Sequence, residues 1–87
     1  MIELNEYETS LAERLLISLH NLCATSSEMA RKGEDLAQIL QADMNAVNQN
    51  LDKHVSDGYV AAYYDNEGNR RFSLTSTGII RVCSLFS

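Results

Sequence analysis

The chain has 87 residues, of which 45% are hydrophobic and 22% are charged, and it carries a formal net charge of −5 at pH 7. This length and balance predict one globular domain, residues 1–87, with a modest core. No apolar run is long enough to span a membrane and the first residues, MIELNEYE, lack the positive charges of a secretory signal, so we expect a cytoplasmic protein with no membrane partner.

The segment from about residue 6 to residue 23 has the periodicity of an amphipathic helix. Apolar side chains recur there every three or four residues, at Tyr7, Leu11, Leu15, Leu19 and Leu22. We expect this helix to pack across the back of the helices that follow it. His20 lies on its polar side and is interpreted as a surface residue, because no second metal ligand accompanies it one turn later.

Residues 24–33 permit two interpretations. Ser27 could cap a helical turn that runs to Lys32, or residues 28–31 could form a short strand that pairs with a later hairpin; we favour the strand. Arg31 and Lys32 form a basic pair close to the start of the next helix. There they could contact a phosphate, although a solvated connector is equally consistent with the pattern.

Residues 34–57 are predicted to form two short helices joined by a sharp turn. The apolar positions give each helix one buried stripe: Leu36, Ala37, Ile39 and Leu40 in the first, and Met44, Val47, Leu51 and Val55 in the second. Asp43 is a suitable N-cap for the second helix, which leaves Gln41 and Ala42 as the turn. Gly58 is expected to end that helix because glycine tolerates the left-handed conformation.

The face of the second helix opposite its apolar stripe is rich in amides and carries Asn45, Asn48, Gln49, Asp52 and Lys53. Asparagine and glutamine amides can pair with adenine, and Lys53 could reach a phosphate or a guanine. The alternative is that this face is polar only because it is exposed to water. We favour a binding role because Asn45, Asn48 and Asn50 reduce helix propensity without an evident structural gain. His54, on the inner edge, is interpreted as a core residue, the alternative being a histidine that titrates near neutrality.

Residues 59–74 are predicted to form a β-hairpin with a loop at residues 65–69. Arg70 and Arg71 lie on its second strand, where they could contact a phosphate backbone or an adjacent minor groove. The alternative is that both arginines only aid solubility. Because Asp65 and Glu67 at the tip would repel phosphate, we expect contact along the strand instead of at the tip.

A last helix is predicted from about residue 76 to residue 86, with Thr75 as its cap. Its second half is apolar on most sides, which predicts a two-fold dimer interface formed by Ile79, Ile80, Val82, Cys83 and Phe86.

The two cysteines, Cys23 and Cys83, have no zinc-site spacing and are expected to be buried reduced thiols. The less favoured alternative is a redox pair between the first and last helices.

Two motifs in this order resemble the winged helix-turn-helix proteins, in particular the MarR-like and PadR-like transcriptional regulators. The first is the spacing of Leu36-Ala37, Leu40, Val47, Leu51, Gly58 and Val60. The second is RFSLTSTG at residues 71–78, which is similar to the strand and LTxxG segment after the wing. The resemblance covers about residues 34–80 and implies an α+β fold with a three-helix core, a β-hairpin wing and a C-terminal helix. It does not select a subfamily.

The resemblance implies a dimeric regulator that binds double-stranded DNA, yet the net charge opposes this function. Residues 1–43 contain eight acids and three bases, which accounts for the whole charge of −5, whereas residues 44–87 contain four of each. The hairpin and the second motif helix therefore lie in a neutral half. The alternative is a winged-helix module that binds a protein partner. We expect neither an enzyme nor a cofactor or metal site, because no nucleophile and base pair, glycine-rich phosphate loop or metal-ligand cluster stands out.

Overall fold

The computed structural model describes residues 10–86 and contains, within that range, four α-helices and three strands. The elements in chain order are α1 (Leu11–Asn21), a 3₁₀ turn (Ser27–Met29), β1 (Arg31–Lys32), α2 (Gly33–Leu40), α3 (Met44–Asp57), β2 (Val60–Tyr64), β3 (Arg70–Leu74) and α4 (Ser76–Leu85). The strands form one antiparallel sheet in the order β1-β3-β2. This is the α+β fold expected from the sequence.

Helix α1 supplies the centre of the core. Ser10 caps it by accepting a hydrogen bond from the Glu13 amide, and the side chains of Leu15 and Leu19 are fully buried. The helix ends at Asn21, two residues before the predicted end, because the chain reverses through Cys23 with a left-handed φ of 57°. Residues 6–9 of the predicted helix lie outside the described residues. His20 is exposed, as expected.

Both interpretations of residues 24–33 were correct in part. A strand is present, but it covers only Arg31 and Lys32, which pair with Phe72 and Arg71 of β3. A 3₁₀ turn, Ser27–Met29, precedes it with Ser26 at the cap position, so the less favoured interpretation was right that a turn forms but wrong that Ser27 caps it. A two-residue strand has no periodicity of its own, and its position is set by the partner strand.

The helix-turn-helix has the predicted caps. The Asp43 carboxylate accepts a hydrogen bond from the Ala46 amide at 3.1 Å, Gln41 adopts a φ of 52° in the turn, and Gly58 ends α3 with a φ of 83°. Two side chains assigned to the buried stripes are exposed instead, since Ile39 has 54% of its surface accessible and Met44 has 38%. The core contacts only one narrow side of the short helix α2, and Met44 lies at the first residue of α3 beside an open groove.

His54 lies in the core, as favoured from the sequence, with 6% of its surface exposed. Its Nε2 lies 2.7 Å from the carbonyl oxygen of Ala12 and donates to it, which ties the third helix to the first. The ring also packs edge-on against Tyr59, with the ring centroids 6.1 Å apart. His54 therefore helps to fix the angle between α1 and α3.

Helix α4 begins at the predicted cap, where the Thr75 hydroxyl accepts a hydrogen bond from the Gly78 amide at 3.0 Å. A side chain at Gly78 would overlap the Tyr59 carbonyl group, so only glycine allows the helix to approach the residue before β2 this closely. Val82 is fully buried in the core of the domain, which makes its assignment to a dimer interface wrong. The expectation of buried thiols was also wrong, because Cys23 and Cys83 are both exposed and neither is in a disulfide.

Candidate nucleic-acid interface

The start of α2, the exposed side of α3 and the hairpin enclose a groove of about 400 Å³. It is lined by Lys32, Gly33, Glu34, Met44, Asn48, Asp52, Asn69, Arg70 and Phe72. Three of these residues, Lys32, Asn48 and Arg70, are among those that the sequence predicts to bind DNA. The fold therefore brings together side chains that lie up to 38 positions apart in the sequence.

The amide side chains of the first half of α3 are available for contacts. Asn45, Asn48 and Gln49 are exposed, and their side chains make no hydrogen bond to the described part of the chain. Asn50 differs, because its amide donates a 2.8 Å hydrogen bond to the Ala46 carbonyl of its own helix. The carbon of a side chain at Gly33 would lie 3.2 Å from Asn48 Oδ1, so glycine at that position leaves room for the Asn48 amide.

Arg70 joins the hairpin to α3. Its Nη2 lies 2.6 Å from Asp52 Oδ1, and its guanidinium carbon lies 4.9 Å from the centre of the Phe72 ring. The ion pair is partly open to solvent, because 37% of the Arg70 side chain and 57% of the Asp52 side chain are exposed. Arg70 therefore spans the groove in a defined orientation while its charge remains accessible.

Arg71 points away from the groove and braces the hairpin. Its Nε donates to Asp65 Oδ2 at 2.9 Å, and its Nη1 donates to the Ala30 carbonyl at 3.3 Å. Asp65 also accepts hydrogen bonds from the Asn69 and Glu67 amides. The hydrogen bond from Arg71, followed by the one from Asn69, lowers the pKa of Asp65 below its ordinary value. Asp65, which we expected to repel phosphate at the tip, is thus turned inward to organise the loop.

The predicted basic residues do not form one patch. Lys32 lies in the groove with Arg70, and its Nζ is 3.8 Å from a Glu34 carboxylate oxygen. Arg31 lines a different hollow beside Arg71, and Lys53 lines a third hollow that also contains His54. The acids Glu34 and Asp52 lie in the same groove as Lys32 and Arg70. The groove is therefore mixed in charge instead of basic.

Sequence reasoning missed two side chains near the groove, Asn69 and Tyr64. Asn69 lines the groove, and Tyr64, which lies directly opposite Arg70 in the hairpin, is 75% exposed. The sequence places Tyr64 at the end of a strand, but only the strand register shows that Tyr64 pairs with Arg70. No group of three or more His, Cys, Asp or Glu side chains within residues 10–86 could hold a metal ion.

The residues assigned to a dimer interface occupy three different environments on α4 and at its C-cap, Phe86. Ile80 and Phe86 have 69% and 52% of their surfaces exposed, and Cys83 is exposed as well. Ile79 is partly buried against the core, whereas Val82 belongs to the core itself. The exposed apolar surface of α4 is therefore narrower than the sequence indicated. No helix in the described part of the chain is long and apolar enough to cross a membrane.

No protein-family profile matches the sequence, and no curated protein sequence is significantly similar to it. Among solved structures, the fold is similar to MepR, a transcription regulator of the Staphylococcus aureus multidrug efflux pump MepA, with a TM-score of 0.72 and 19% identity over 91% of this chain and 56% of that chain. MarR from E. coli in its apo form gives a TM-score of 0.71 and 21% identity over 91% of this chain and 56% of that chain.

A third structure, the DNA-binding TubR fragment from Clostridium botulinum, has a TM-score of 0.74 and 20% identity, and the match covers 97% of this chain and 99% of the fragment. The chain spans little more than half of MepR and MarR but nearly all of the TubR fragment. MepR has also been solved in complex with DNA. These similarities establish a winged helix-turn-helix fold that resembles that of MarR, as the sequence motifs indicated.

Proposed function

We propose that this chain is a sequence-specific DNA-binding protein, a small dimeric transcriptional regulator that binds double-stranded DNA. The observation that carries the proposal is the row of exposed amides on the first half of α3 of a winged-helix fold, one of which, Asn48, lines the groove together with Arg70. MepR, which shares the fold, has been solved with DNA.

Helix α3 is the element that fits the major groove. In helix-turn-helix proteins the first half of the second helix meets the base edges, and that half of α3 presents Asn45, Asn48 and Gln49. Their amides can each donate to N7 and accept from N6 in the manner that selects adenine, or form single hydrogen bonds to other bases. We therefore expect the preferred site to contain A·T pairs where α3 enters.

Arg70 and Lys32 supply the contacts to the phosphate backbone. Both line the groove, but each lies near a carboxylate, so a phosphate must compete with Asp52 for Arg70 and with Glu34 for Lys32. Binding through so few cations should have a modest salt dependence, with a slope of roughly −0.9 for each phosphate that is neutralised. Arg71 contributes indirectly by holding the hairpin in shape.

Dimerisation through α4 would give the protein two recognition helices. Ile80 and Phe86 are large apolar side chains on an exposed surface, which favours a contact between copies of the chain. A two-fold dimer presents its helices to half-sites separated by about one turn of DNA, on the order of 34 Å. A palindromic operator is the expected target.

A protein-binding module is the second candidate. Each cation in the groove lies beside an acid, and the sequence pI is about 4.8, so the surface lacks the basic field of most DNA-binding domains. In that case the groove would receive a peptide or a protein loop of mixed charge. The two candidates differ in whether the isolated protein binds duplex DNA.

The test is fluorescence anisotropy of labelled duplexes that carry either the DNA upstream of the protein's own gene or a random sequence, measured at several salt concentrations. The proposal expects tighter binding to the upstream duplex, which Asn48→Ala weakens while Asn66→Ala, at the loop of the hairpin, leaves it unchanged. Equal affinity for both duplexes would exclude sequence-specific recognition. Absence of binding to either at low salt would exclude DNA binding by the isolated chain and favour the protein-binding module.

A further inference from the structure

Tyr64 is the most exposed large hydrophobic side chain within residues 10–86. It has 75% of its surface accessible, compared with 37% for its neighbour Tyr63. It ends β2 and lies directly opposite Arg70 of β3, immediately before the loop that Asp65 organises. A single exposed apolar side chain is common on protein surfaces, so the informative feature is the position of Tyr64, whose ring is open to solvent and paired with a residue that lines the groove.

The strand register shows which face of the hairpin carries this ring. Paired residues of an antiparallel ladder project to the same face, and residues two apart along a strand share it. Tyr64 therefore shares a face with Arg70 and Phe72, and the stacking of the Arg70 guanidinium over the Phe72 ring agrees with this assignment. Tyr63 shares the opposite face with Arg71. The two tyrosines are neighbours in sequence but face different surroundings.

This face of the hairpin lies beside the groove, because Arg70 lines the groove. Tyr64 lies on the same face, next to the loop at the tip of the hairpin. A tyrosine ring offers a flat apolar surface that can pack on a deoxyribose, and its hydroxyl can donate to a phosphate oxygen. The loop beyond Tyr64 is fixed by three hydrogen bonds to the Asp65 carboxylate, so the strand end is held in place before any ligand arrives.

We propose that Tyr64 is a DNA-contacting residue of the hairpin, which packs on the sugar-phosphate backbone next to the phosphate that Arg70 contacts. This inference rests on the proposed function and deepens it, because it assigns to the protein an uncharged backbone contact beside the charged one. A neutral contact adds affinity without releasing counterions, whereas each cation that neutralises a phosphate adds to the salt dependence.

The two kinds of contact consequently have different signatures. Tyr64→Ala should weaken binding about tenfold, the effect of losing one hydrogen bond to a charged group, and should leave the slope of log K against log salt unchanged. Arg70→Ala should weaken binding and also reduce the magnitude of that slope by roughly one. Tyr63→Ala is the matched control, because it removes the same side chain from the opposite face of the same strand.

The experiment measures anisotropy of one labelled duplex with the wild-type chain and these variants across a salt series. A second measurement uses the intact chain with 3-fluorotyrosine and follows its fluorine NMR signals during a DNA titration, with the Tyr64 and Tyr63 signals assigned from Tyr64→Phe and Tyr63→Phe. The inference expects the Tyr64 signal to shift with DNA and the Tyr63 signal to stay unchanged. It is overturned by a Tyr64 signal that does not move, or by a Tyr64→Ala variant that folds and binds as tightly as the wild type. If the wild-type chain binds no duplex, the proposed function and this inference both fail. If the wild-type chain binds but the Tyr64 signal and the affinity of Tyr64→Ala do not change, only this inference fails.

Discussion

Asp52 limits the affinity for DNA if Arg70 has to leave it to reach a phosphate. Asp52 lies on the exposed side of α3, pairs with Arg70 at 2.6 Å and lines the groove. Asp52→Asn keeps the shape of the side chain, removes its negative charge and weakens its hold on Arg70. The expected result is a protein that binds duplex DNA more tightly, not less tightly.

The magnitude follows from the exposure of the ion pair. Because both side chains are more than one-third exposed, the pair contributes only about 0.5 kcal/mol to folding, and the variant should remain folded. A carboxylate at about 6 Å from a phosphate in a solvent-like dielectric costs roughly 0.7 kcal/mol. Together with the roughly 0.5 kcal/mol that holds Arg70 to Asp52, this amounts to about 1.2 kcal/mol, or just under tenfold in affinity.

The assay is anisotropy with one duplex from about 50 to about 200 mM salt, with Asp57→Asn as the control. Asp57 is an exposed acid on the same helix, but it lines a different hollow, so its variant changes the net charge equally without touching the groove. We expect Asp52→Asn to bind about tenfold more tightly than Asp57→Asn at the lowest salt, with a steeper salt slope. Weaker binding by Asp52→Asn would refute the reasoning, since it would mean that Asp52 orients Arg70 for its contact.

Three further predictions concern the fold and the assembly. Gly78→Ala should lower the free energy of unfolding by about 2 to 3 kcal/mol in urea denaturation, because the new methyl group overlaps the Tyr59 carbonyl; the modest gain usual for Gly→Ala within a helix would contradict that contact. The Asp65 carboxylate has a lowered pKa when folded, so its contribution is present above the ordinary pKa and lost as the pH falls through the lowered one. The melting temperature of Asp65→Asn should thus approach that of the wild type at acid pH, and a constant difference would argue against this role. Ile80→Glu should shift the molar mass in light scattering from dimer to monomer, whereas Ile39→Glu, also at an exposed position, should not; a wild-type chain that is already monomeric would exclude the dimer.

The local features of the fold could be predicted from the sequence because single residues determine them. Asp43, Gly58 and Thr75 end or begin helices through their own side chains or backbone freedom, and the structure has them in those positions. The order of two helices, a hairpin and a final helix followed from the spacing of these residues and of the apolar positions. Such signals depend on neighbours within a few residues.

Burial was harder to predict, because periodicity gives an apolar stripe but not the neighbour that covers it. Val82 and Ile80 are both apolar residues of α4, yet the core covers the first and leaves the second open. Cys23 was expected to be buried with the apolar residues before it, but the left-handed turn at its own position carries its side chain to the surface.

The charge pairs of the site could not be predicted at all. Arg70 and Arg71 are adjacent in sequence, but the alternation of a strand sends one to Asp52 in the groove and the other to Asp65 behind it. Only the register of the hairpin against α3 decides which arginine faces the groove. The sequence therefore identified both arginines as candidates without distinguishing their roles.

The measurement that tests DNA binding by the α3 and hairpin face most directly is an NMR titration of the ¹⁵N-labelled chain with a duplex from its own upstream region. We expect the largest shifts at the backbone amides of Asn45 and Asn48, at the hairpin around Arg70, and at the side-chain amides of α3, with α4 nearly unchanged. Shifts confined to α4, or no shifts at any duplex concentration at low salt, would contradict the assignment of this face to DNA.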